Sequence, residues 1–351
     1  MAERVVLHVG TMKSGTTTLQ ALLFGNQAAL RDRGVLVPGA SWGDQVRGAR
    51  DVIAGGGPAW SSLVSELAAW DGVAVLSMEY FGTMRPHEVA LVAASLPGLE
   101  IVVTARDLNR QLASMWQETV QNGRGWAWAE YLAGARESRP PATPSGEAGR
   151  TFWRQQDLVR IVRRWGSVAP VTVVTLPPPG GPRSALVSRF GEAAALSLAG
   201  LAAETANESV GAASAVLLQR VNAALTGLGI DHGSGLEVRK TVLAKEVLAA
   251  RAPLEPRLGL PLARWVRSHS RGMSKALRDV PVVGGWSDLR PVAVPGVDPS
   301  TVEEADLLAA ARDGFEGLRE RFGGSGWVHP ASADDAVDML ASQIEGILRA
   351  G

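Results

Sequence analysis

Short runs of β-branched residues alternate with helical stretches over the first 180 residues, and this alternation limits the folds open to the chain. The runs at 4–10, 73–76, 100–104 and 170–175 show little polar alternation, which is typical of strands buried on both faces. Helical patterns separate them, and strands joined through helices form βαβ units. The sequence therefore predicts an α/β fold with a central parallel sheet flanked by helices.

Beyond residue 207 the pattern becomes mostly helical. Helices are predicted at 210–225, 235–251, 262–278, 302–322 and 333–350. We expect a single domain over residues 1–351, with an α/β core in 1–200 and a helical cap in 201–351 packed on it. Two stretches rich in glycine, proline or small polar residues, 41–60 and 138–150, are expected to be loops.

Charge and composition exclude several classes of protein. Thirty-five basic residues balance 35 acidic ones, which argues against a broad nucleic-acid or membrane-surface binder. The absence of cysteine excludes disulfides, thiol nucleophiles and thiolate metal sites. The five histidines lack the spacing of metal ligands, so no metal is expected. With no signal-like N-terminus and no apolar stretch of about 20 residues, we expect a cytoplasmic protein.

The most informative segment is HVGTMKSGTTTLQ, residues 8–20. A strand ends at Gly10, a glycine-bearing turn follows, and a helix begins with three threonines. Such a turn directs free backbone N–H groups to one point, and the helix dipole adds partial positive charge there. The segment therefore predicts a P-loop-like anion site suited to phosphate or sulfate, with Lys13 supplying a full charge.

A Walker A loop would read G-x-x-x-x-G-K-[ST]. Gly10 and Gly15 have that glycine spacing, but Thr16 follows the second glycine and Lys13 precedes it by two residues. This order argues against a nucleoside-triphosphate site.

The order Lys-Ser-Gly-Thr-Thr after the first strand resembles the 5′-phosphosulfate loop of sulfotransferases that use 3′-phosphoadenosine 5′-phosphosulfate (PAPS). The resemblance implies that PAPS is the sulfuryl donor and that adenosine 3′,5′-bisphosphate (PAP) is released. It also implies a set of residues that hold the 5′ end of the donor, namely Lys13, Ser14, Gly15, Thr16, Thr17 and Thr18.

The family also has an arginine at the end of a later strand and a serine eight residues on, which together hold the 3′-phosphate of the donor. Here Arg106 follows the predicted strand at 100–104, and Ser114 is eight residues later. With Arg110 between them, the three form an i, i+4, i+8 stripe on one helix face. The resemblance therefore implies that Arg106, Arg110 and Ser114 bind the 3′-phosphate.

Residues 112–118 and 152–165 more loosely resemble a bacterial branch of the family. Two features of the best-known cytosolic members are missing. Thr18 and Leu19 stand where those members have a tryptophan that stacks on adenine, and 239–241 only faintly resembles their late glycine-rich segment. The residue that stacks on adenine is therefore unassigned, and the candidates are Trp116, Trp126 and Trp153.

The resemblance implies in-line attack on sulfur by an acceptor hydroxyl or amine. Lys13 is expected to neutralise the charge that grows on the bridging oxygen. Two general bases remain open: Glu79, just past the strand at 73–76, and His8, inside the first strand. Gln117 and Glu118, on the Arg106 helix, are expected to contact the acceptor.

Two other functions fit parts of the sequence. A small-molecule kinase with a variant loop needs an aspartate or glutamate for Mg²⁺, for which Glu79 and Asp107 are available. A catalytically silent nucleotide-binding module would need no lysine at the bridging oxygen. The acceptor is expected to be an aromatic or glycosylated small molecule because of four tryptophans, Trp42, Trp60, Trp126 and Trp128. The oligomeric state stays open.

Overall fold

The computed structural model describes residues 2–137, 143–182, 184–202 and 209–350. The strands are β1 (Arg4–His8), β2 (Val35–Leu36), β3 (Val73–Ser77), β4 (Leu99–Ala105), β5 (Val171–Thr175) and β6 (Val282–Val283). Over the described residues they form a six-stranded, all-parallel sheet with the order β2-β3-β1-β4-β5-β6. The predicted α/β class, with helices flanking a parallel sheet, is confirmed.

The α-helices of the first half are α1 (Thr16–Gly25), α2 (Gln27–Asp32), α3 (Trp42–Ile53), α4 (Pro58–Ala68), α5 (Pro86–Ser95), α6 (Leu108–Gln121), α7 (Trp128–Arg136), α8 (Pro144–Gln156), α9 (Leu158–Gly166) and α10 (Ser184–Ala193). Those of the second half are α11 (Ala212–Gly227), α12 (Arg264–Ala276), α13 (Glu304–Phe322) and α14 (Ala333–Ala350), with a π-helix at Glu237–Leu248. Short 3₁₀ turns occur at Glu79–Thr83, Ala249–Arg251, Trp286–Leu289 and Pro299–Thr301. The C-terminal part is helical, as predicted.

Two compact units divide the chain, and their segments alternate along it. The first unit holds the sheet and comprises the described residues of Met1–Gln111, Trp153–Ala206 and Arg264–Pro291. The second holds those of Leu112–Phe152, Asn207–Ala263 and Val292–Gly351. Each unit therefore draws on both halves of the sequence. The expected single domain, with a core in 1–200 and a cap in 201–351, stays a prediction.

Both faces of the sheet are buried in the first unit. Side chains alternate along β1, so Val5 and Leu7 face one apolar cluster and Val6 faces the other. Helices α3, α4, α5 and α9 contribute to the first cluster, and α1, α2 and α10 to the second. This burial on two sides explains why the strands read as continuous apolar runs.

The second unit has its own core. Helices α11, α13 and α14 pack together with the π-helix, and apolar residues such as Leu217, Leu243 and Leu340 are buried there. Trp116, Trp128 and Tyr131 add an aromatic cluster with ring centroids about 5–6 Å apart. Large apolar area is therefore removed from water within this unit alone.

Two predicted loops are wrong. Most of residues 41–60 lie in α3 and in the start of α4. Ser41 and Asp44 make a capping box at α3, and Pro58 occupies the first turn of α4. Residues 144–150 belong to α8, while residues 138–142 lie outside the described part of the chain. Pro58 and Pro144 begin helices, while Gly48 and Gly149 lie inside α3 and α8, so composition alone misassigned these stretches.

Within the described residues, no helix combines the length and the apolar character that crossing a membrane requires.

Candidate functional site

The candidate site lies at the carboxyl edge of the sheet, where β1 and β4 are neighbours. The chain leaves β1 toward β2 on one side and leaves β4 toward β5 on the other. Such a switch point is where open α/β sheets bind their ligands. The backbone N–H of Thr11 donates to the carbonyl of Thr104 at 3.1 Å, which joins the ends of the two strands.

The loop from β1 to α1 has an unusual backbone. Lys13 and Gly15 both take the left-handed region, with φ of 62° and 80°. Helix α1 then begins at Thr16 without a side-chain cap. The N–H of Thr18 already donates to the carbonyl of Gly15 at 3.1 Å. The N–H groups of Thr16 and Thr17 come before this first bond of the helix and can offer donors to an anion.

Both glycines of this loop are required by space. A Cβ on Gly10 would lie 2.3 Å from Cγ2 of Thr16 and 2.7 Å from Oγ1 of Thr104. A Cβ on Gly15 would lie 2.4 Å from Cδ2 of Leu186, in addition to the strain of its positive φ. The absence of a side chain lets Gly10 approach α1 and β4, and lets Gly15 approach α10.

The predicted donor-binding residues differ in exposure. Lys13 and Thr17 are exposed, Thr18 and Gly15 are half-buried, and Thr16 is buried. Ser14 is fully buried, its hydroxyl donates to the carbonyl of Thr11, and it lies 2.8 Å from Oγ1 of Thr104. Its N–H also donates to Thr11 O at 3.3 Å, so both polar groups of Ser14 stabilise the loop. The part of Ser14 in holding the donor stays a prediction.

His8 is buried inside the sheet beneath the loop. Its Nδ1 lies 2.7 Å from Oγ of Ser77, and its Nε2 lies 3.0 Å from Oγ1 of Thr104. Burial lowers the pKa of the imidazole to about 3, so it is neutral at pH 7. With both nitrogens engaged and no exposed surface, His8 is suited to joining β1, β3 and β4 rather than to reaching a substrate.

Glu79 lies two residues after the end of β3 and is half-buried. Nε2 of Gln20, on α1, donates to Oε2 of Glu79 at 2.8 Å and to the carbonyl of Ser77 at 3.2 Å. The carboxylate is therefore held at the same sheet edge as the loop, since β3 is the neighbour of β1 on the other side. Gln20 had not been predicted as a site residue.

Arg106 follows β4, and Asp107 caps α6 by accepting the N–H of Arg110 at 3.1 Å. The Arg110 side chain pairs with the carboxylate of Asp107, and its Nη2 donates to the carbonyl of Pro177 at 3.2 Å. Burial and then the charge of Arg110 lower the pKa of Arg106 to about 10, against a smaller raising effect of Asp107. Arg106 stays charged at pH 7, and a nearby anion would offset its desolvation.

From Leu112 onward, the residues of α6 belong to the second unit. Ser114 is half-buried there, and its place relative to Arg106 stays a prediction. Gln117 donates to the carbonyl of Val210 at 2.9 Å, and Glu118 accepts from Asn122 at 2.9 Å and from Lys240 at 3.4 Å. These bonds connect parts of the second unit, and contact of Gln117 and Glu118 with an acceptor stays untested.

Most of the tryptophans that were expected to contact the acceptor or the adenine are core residues. Trp60, Trp116, Trp126 and Trp128 are buried, and Nε1 of Trp116 donates to the carbonyl of Trp126 at 3.0 Å. Trp42 is exposed. Trp153, in the first unit, is half-buried with its ring centroid 4.4 Å from that of His269. Among the three adenine candidates, only Trp153 presents partly exposed ring surface.

Residues 239–241 have structural partners. Arg239 is buried and donates to the carbonyls of Asp231 and His232 at 2.8 and 2.9 Å. Lys240 contacts Asn122 and Glu118. These contacts hold Arg239 and Lys240 to other residues of the second unit.

Sequence reasoning missed the residues that connect the two loops. Nε2 of Gln111 donates to Oγ1 of Thr11 and to the carbonyl of Met12, each at 3.0 Å. Gln156 donates to the same Met12 carbonyl at 2.9 Å and accepts from Gln111. One available signal was that Gln111 lies four residues after the cap of α6, on the same helix face as Asp107.

No family model, curated protein or solved structure matches the chain. Over the described residues, no group of three histidine, aspartate or glutamate side chains is arranged to hold a metal ion.

Proposed function

We propose that the protein is a PAPS-dependent sulfotransferase. The observation that carries the proposal is the pairing of two cationic segments at one sheet edge. The Lys13 loop follows β1 and the Arg106 turn follows the adjacent β4, and Gln111 joins the two. A donor with anionic groups at both ends of an adenosine needs two such segments.

The residues present fit the 5′ end of such a donor. The uncapped first turn of α1 and the side chain of Lys13 supply donors and positive charge to a phosphosulfate. Thr16, Thr17 and Thr18 follow as hydroxyl donors. The glycines leave the room that a backbone cradle needs, since a Cβ on either would clash.

At the other end, Arg106 is the residue proposed to hold the 3′-phosphate, with Ser114 as the hydroxyl partner. A buried guanidinium whose pKa is already lowered by burial and by Arg110 gains most from an anion. Arg110 is engaged by Asp107 and Pro177, so its proposed part is to position that turn and to add charge.

The proposed reaction conserves atoms and charge. The donor supplies the sulfuryl group. The acceptor oxygen or nitrogen forms a bond to sulfur while the bond between sulfur and the 5′-phosphate oxygen breaks. Glu79 takes the proton of the acceptor, and Lys13 neutralises the charge on the departing oxygen. His8 is left out of this scheme because it has no exposed surface.

Two alternatives are less well supported. A kinase needs a carboxylate for Mg²⁺, but Asp107 is committed to Arg110 and to the cap of α6. A silent binding module does not explain why the exposed Lys13 has a left-handed backbone, since that conformation costs about 1–2 kcal/mol.

Calorimetry with PAP, with ATP and with Mg·ATP, followed by turnover of PAPS on a panel of phenols and sugars, tests the proposal. We expect PAP to bind tightly without Mg²⁺ and ATP to bind weakly. Preference for Mg·ATP would replace the sulfotransferase by a kinase. Equal PAP binding by wild type and Lys13→Ala, with turnover by neither, would favour the silent module.

A further inference from the structure

A pocket of about 530 Å³ opens in the first unit beside the proposed reaction site. Met12, the residue before Lys13, lines it, and so does Tyr80, the residue after Glu79. The pocket is therefore lined by the sequence neighbours of Lys13 and Glu79, the two residues proposed to handle the leaving group and the acceptor proton. Its volume suits a small organic molecule.

The lining of this pocket is strongly cationic. Its arginines come from four separate parts of the chain and are Arg50, Arg85, Arg154, Arg160 and Arg164. Its two carboxylates already have backbone partners: Glu88 accepts the N–H of Arg85 at 2.7 Å, and Asp157 accepts the N–H of Arg160 at 3.0 Å. Among the described residues, none of the five guanidinium groups makes an ion pair within 4.0 Å.

Two of these arginines are close enough to repel each other. Arg160 and Arg164 lie one turn apart on α9, and burial followed by the charge of Arg160 lowers the pKa of Arg164. Arg164 is held in place because it donates to the carbonyls of Gly82 and Met84. An anion that bridges two like charges lining the same pocket stabilises both of them.

Apolar surface covers other parts of the pocket. Ile53, Met84, Trp153 and Ile161 line it together with the ring of Tyr80. Such surfaces pack against the flat or carbon-rich face of a ring. The pocket therefore combines a place for an anionic group with a place for a ring.

We propose that this pocket binds the acceptor and selects a ring compound that carries a carboxylate, a sulfate ester or a phosphate ester. The proposal rests on the proposed function, because the pocket is an acceptor site only if Lys13 and Glu79 carry out sulfuryl transfer. It names a substrate class different from the neutral aromatic or glycosylated compound that the tryptophans alone suggested.

Binding without donor tests the charge preference directly. Three matched pairs serve as probes: 4-hydroxyphenylacetate with its amide, phenyl β-D-glucuronide with phenyl β-D-glucoside, and glucose 6-phosphate with glucose. Calorimetry on the full chain at low and at moderate salt measures each pair. We expect the anion of at least one pair to bind at least about tenfold more tightly, with the difference shrinking as salt rises. If no pair favours its anion, the proposal is overturned.

The double variant Arg154→Gln/Arg160→Gln assigns the preference to the pocket. Both side chains are exposed, so their loss leaves the core intact. We expect the anion preference to fall by at least about tenfold. Arg163→Gln is the matched control, since Arg163 is an exposed arginine of α9 that does not line the pocket. An equal loss in the control, or no loss in the double variant, would overturn the assignment.

A competition experiment separates this pocket from the donor site. We expect the preferred anion to bind equally well with and without saturating PAP, and the double variant to keep its PAP affinity. Displacement of PAP by the anion would contradict a separate acceptor pocket. Charge preference without PAP binding would overturn the proposed function and leave the anion pocket standing. PAP binding without charge preference would overturn the pocket alone.

Discussion

Nε2 of Gln111 donates to Oγ1 of Thr11 at 3.0 Å, across 100 positions of sequence. The bond connects the helix after β4 to the loop after β1. The same amide also reaches the carbonyl of Met12 and the side chain of Gln156. One buried amide therefore holds the two segments proposed to bind the ends of the donor.

Gln111→Leu should lower both stability and PAP affinity. The loss of hydrogen bonds at a buried amide costs about 1–3 kcal/mol in the free energy of unfolding, since Thr11 loses a donor. Denaturant titration and calorimetry measure the two effects. Gln219→Leu is the control, because Gln219 makes one bond, to the carbonyl of Gly125 in the second unit. If Gln219→Leu weakens PAP binding equally, the link between the loops is not responsible.

Lys13 should be needed for turnover while straining the backbone. Lys13→Ala and Lys13→Gly are both expected to lower turnover by about 10²–10³-fold, the range for losing one transition-state donor. The free energy of unfolding should be about 1 kcal/mol higher for Lys13→Gly than for Lys13→Ala, because glycine tolerates a φ of 62°. Lys245→Ala, at an exposed lysine, should change neither quantity. Turnover by Lys13→Ala at the wild-type rate would remove the assigned role.

Arg106→Ala should weaken PAP binding by at least about 1–3 kcal/mol, the range for stranding a charged hydrogen-bond partner. The affinity for adenosine 5′-phosphosulfate, which lacks the 3′-phosphate, should fall little. Calorimetry with both nucleotides on wild type and variant gives the difference directly. An equal loss for the two would mean that Arg106 supports the fold around the site rather than contacting the 3′-phosphate.

Glu79→Gln should lower turnover by about 10²–10⁴-fold with little change in PAP affinity, because a base acts only on the acceptor proton. The variant keeps an oxygen that can accept from Gln20, so the fold should be stable. Steady-state kinetics and PAP calorimetry separate the two effects. Gln20→Leu is expected to lower turnover less, since it only releases the carboxylate from its position. Wild-type turnover by Glu79→Gln would exclude it as the base.

His8 should make the fold sensitive to acid. Its folded pKa of about 3 lies below the ordinary 6.5, so below pH 6.5 the unfolded chain binds a proton that the folded chain does not. The neutral His8 therefore makes its full contribution to the free energy of unfolding above pH 6.5. Below that pH the free energy of unfolding falls by about 1.4 kcal/mol per pH unit toward pH 3.

Denaturant titrations of wild type and His8→Gln between those pH values measure this slope. The variant should lose stability less steeply, although its absolute stability is lower because the bonds to Ser77 and Thr104 are disturbed. His329→Gln, at an exposed histidine, should follow wild type. Parallel curves for wild type and His8→Gln would contradict the assignment.

The predictability of the fold depended on segment length. Strands β1, β3, β4 and β5 have five to seven residues and were predicted as apolar runs. Strands β2 and β6 have two residues each and were missed, since two residues show no periodicity. The helices of residues 212–350 were predicted within a few residues because their apolar repeats are long.

By itself, the sequence determined the α/β class and the cationic loop at Lys13, because strand, turn and helix follow one another within 15 residues and local geometry aligns their N–H groups. Only the tertiary structure decided that Gln111 joins this loop to Arg106 and that His8 is sealed inside the sheet. The cationic pocket likewise came only from the fold. A balanced total of 35 basic and 35 acidic residues says nothing about position, whereas an electric field depends on which charges the fold brings together.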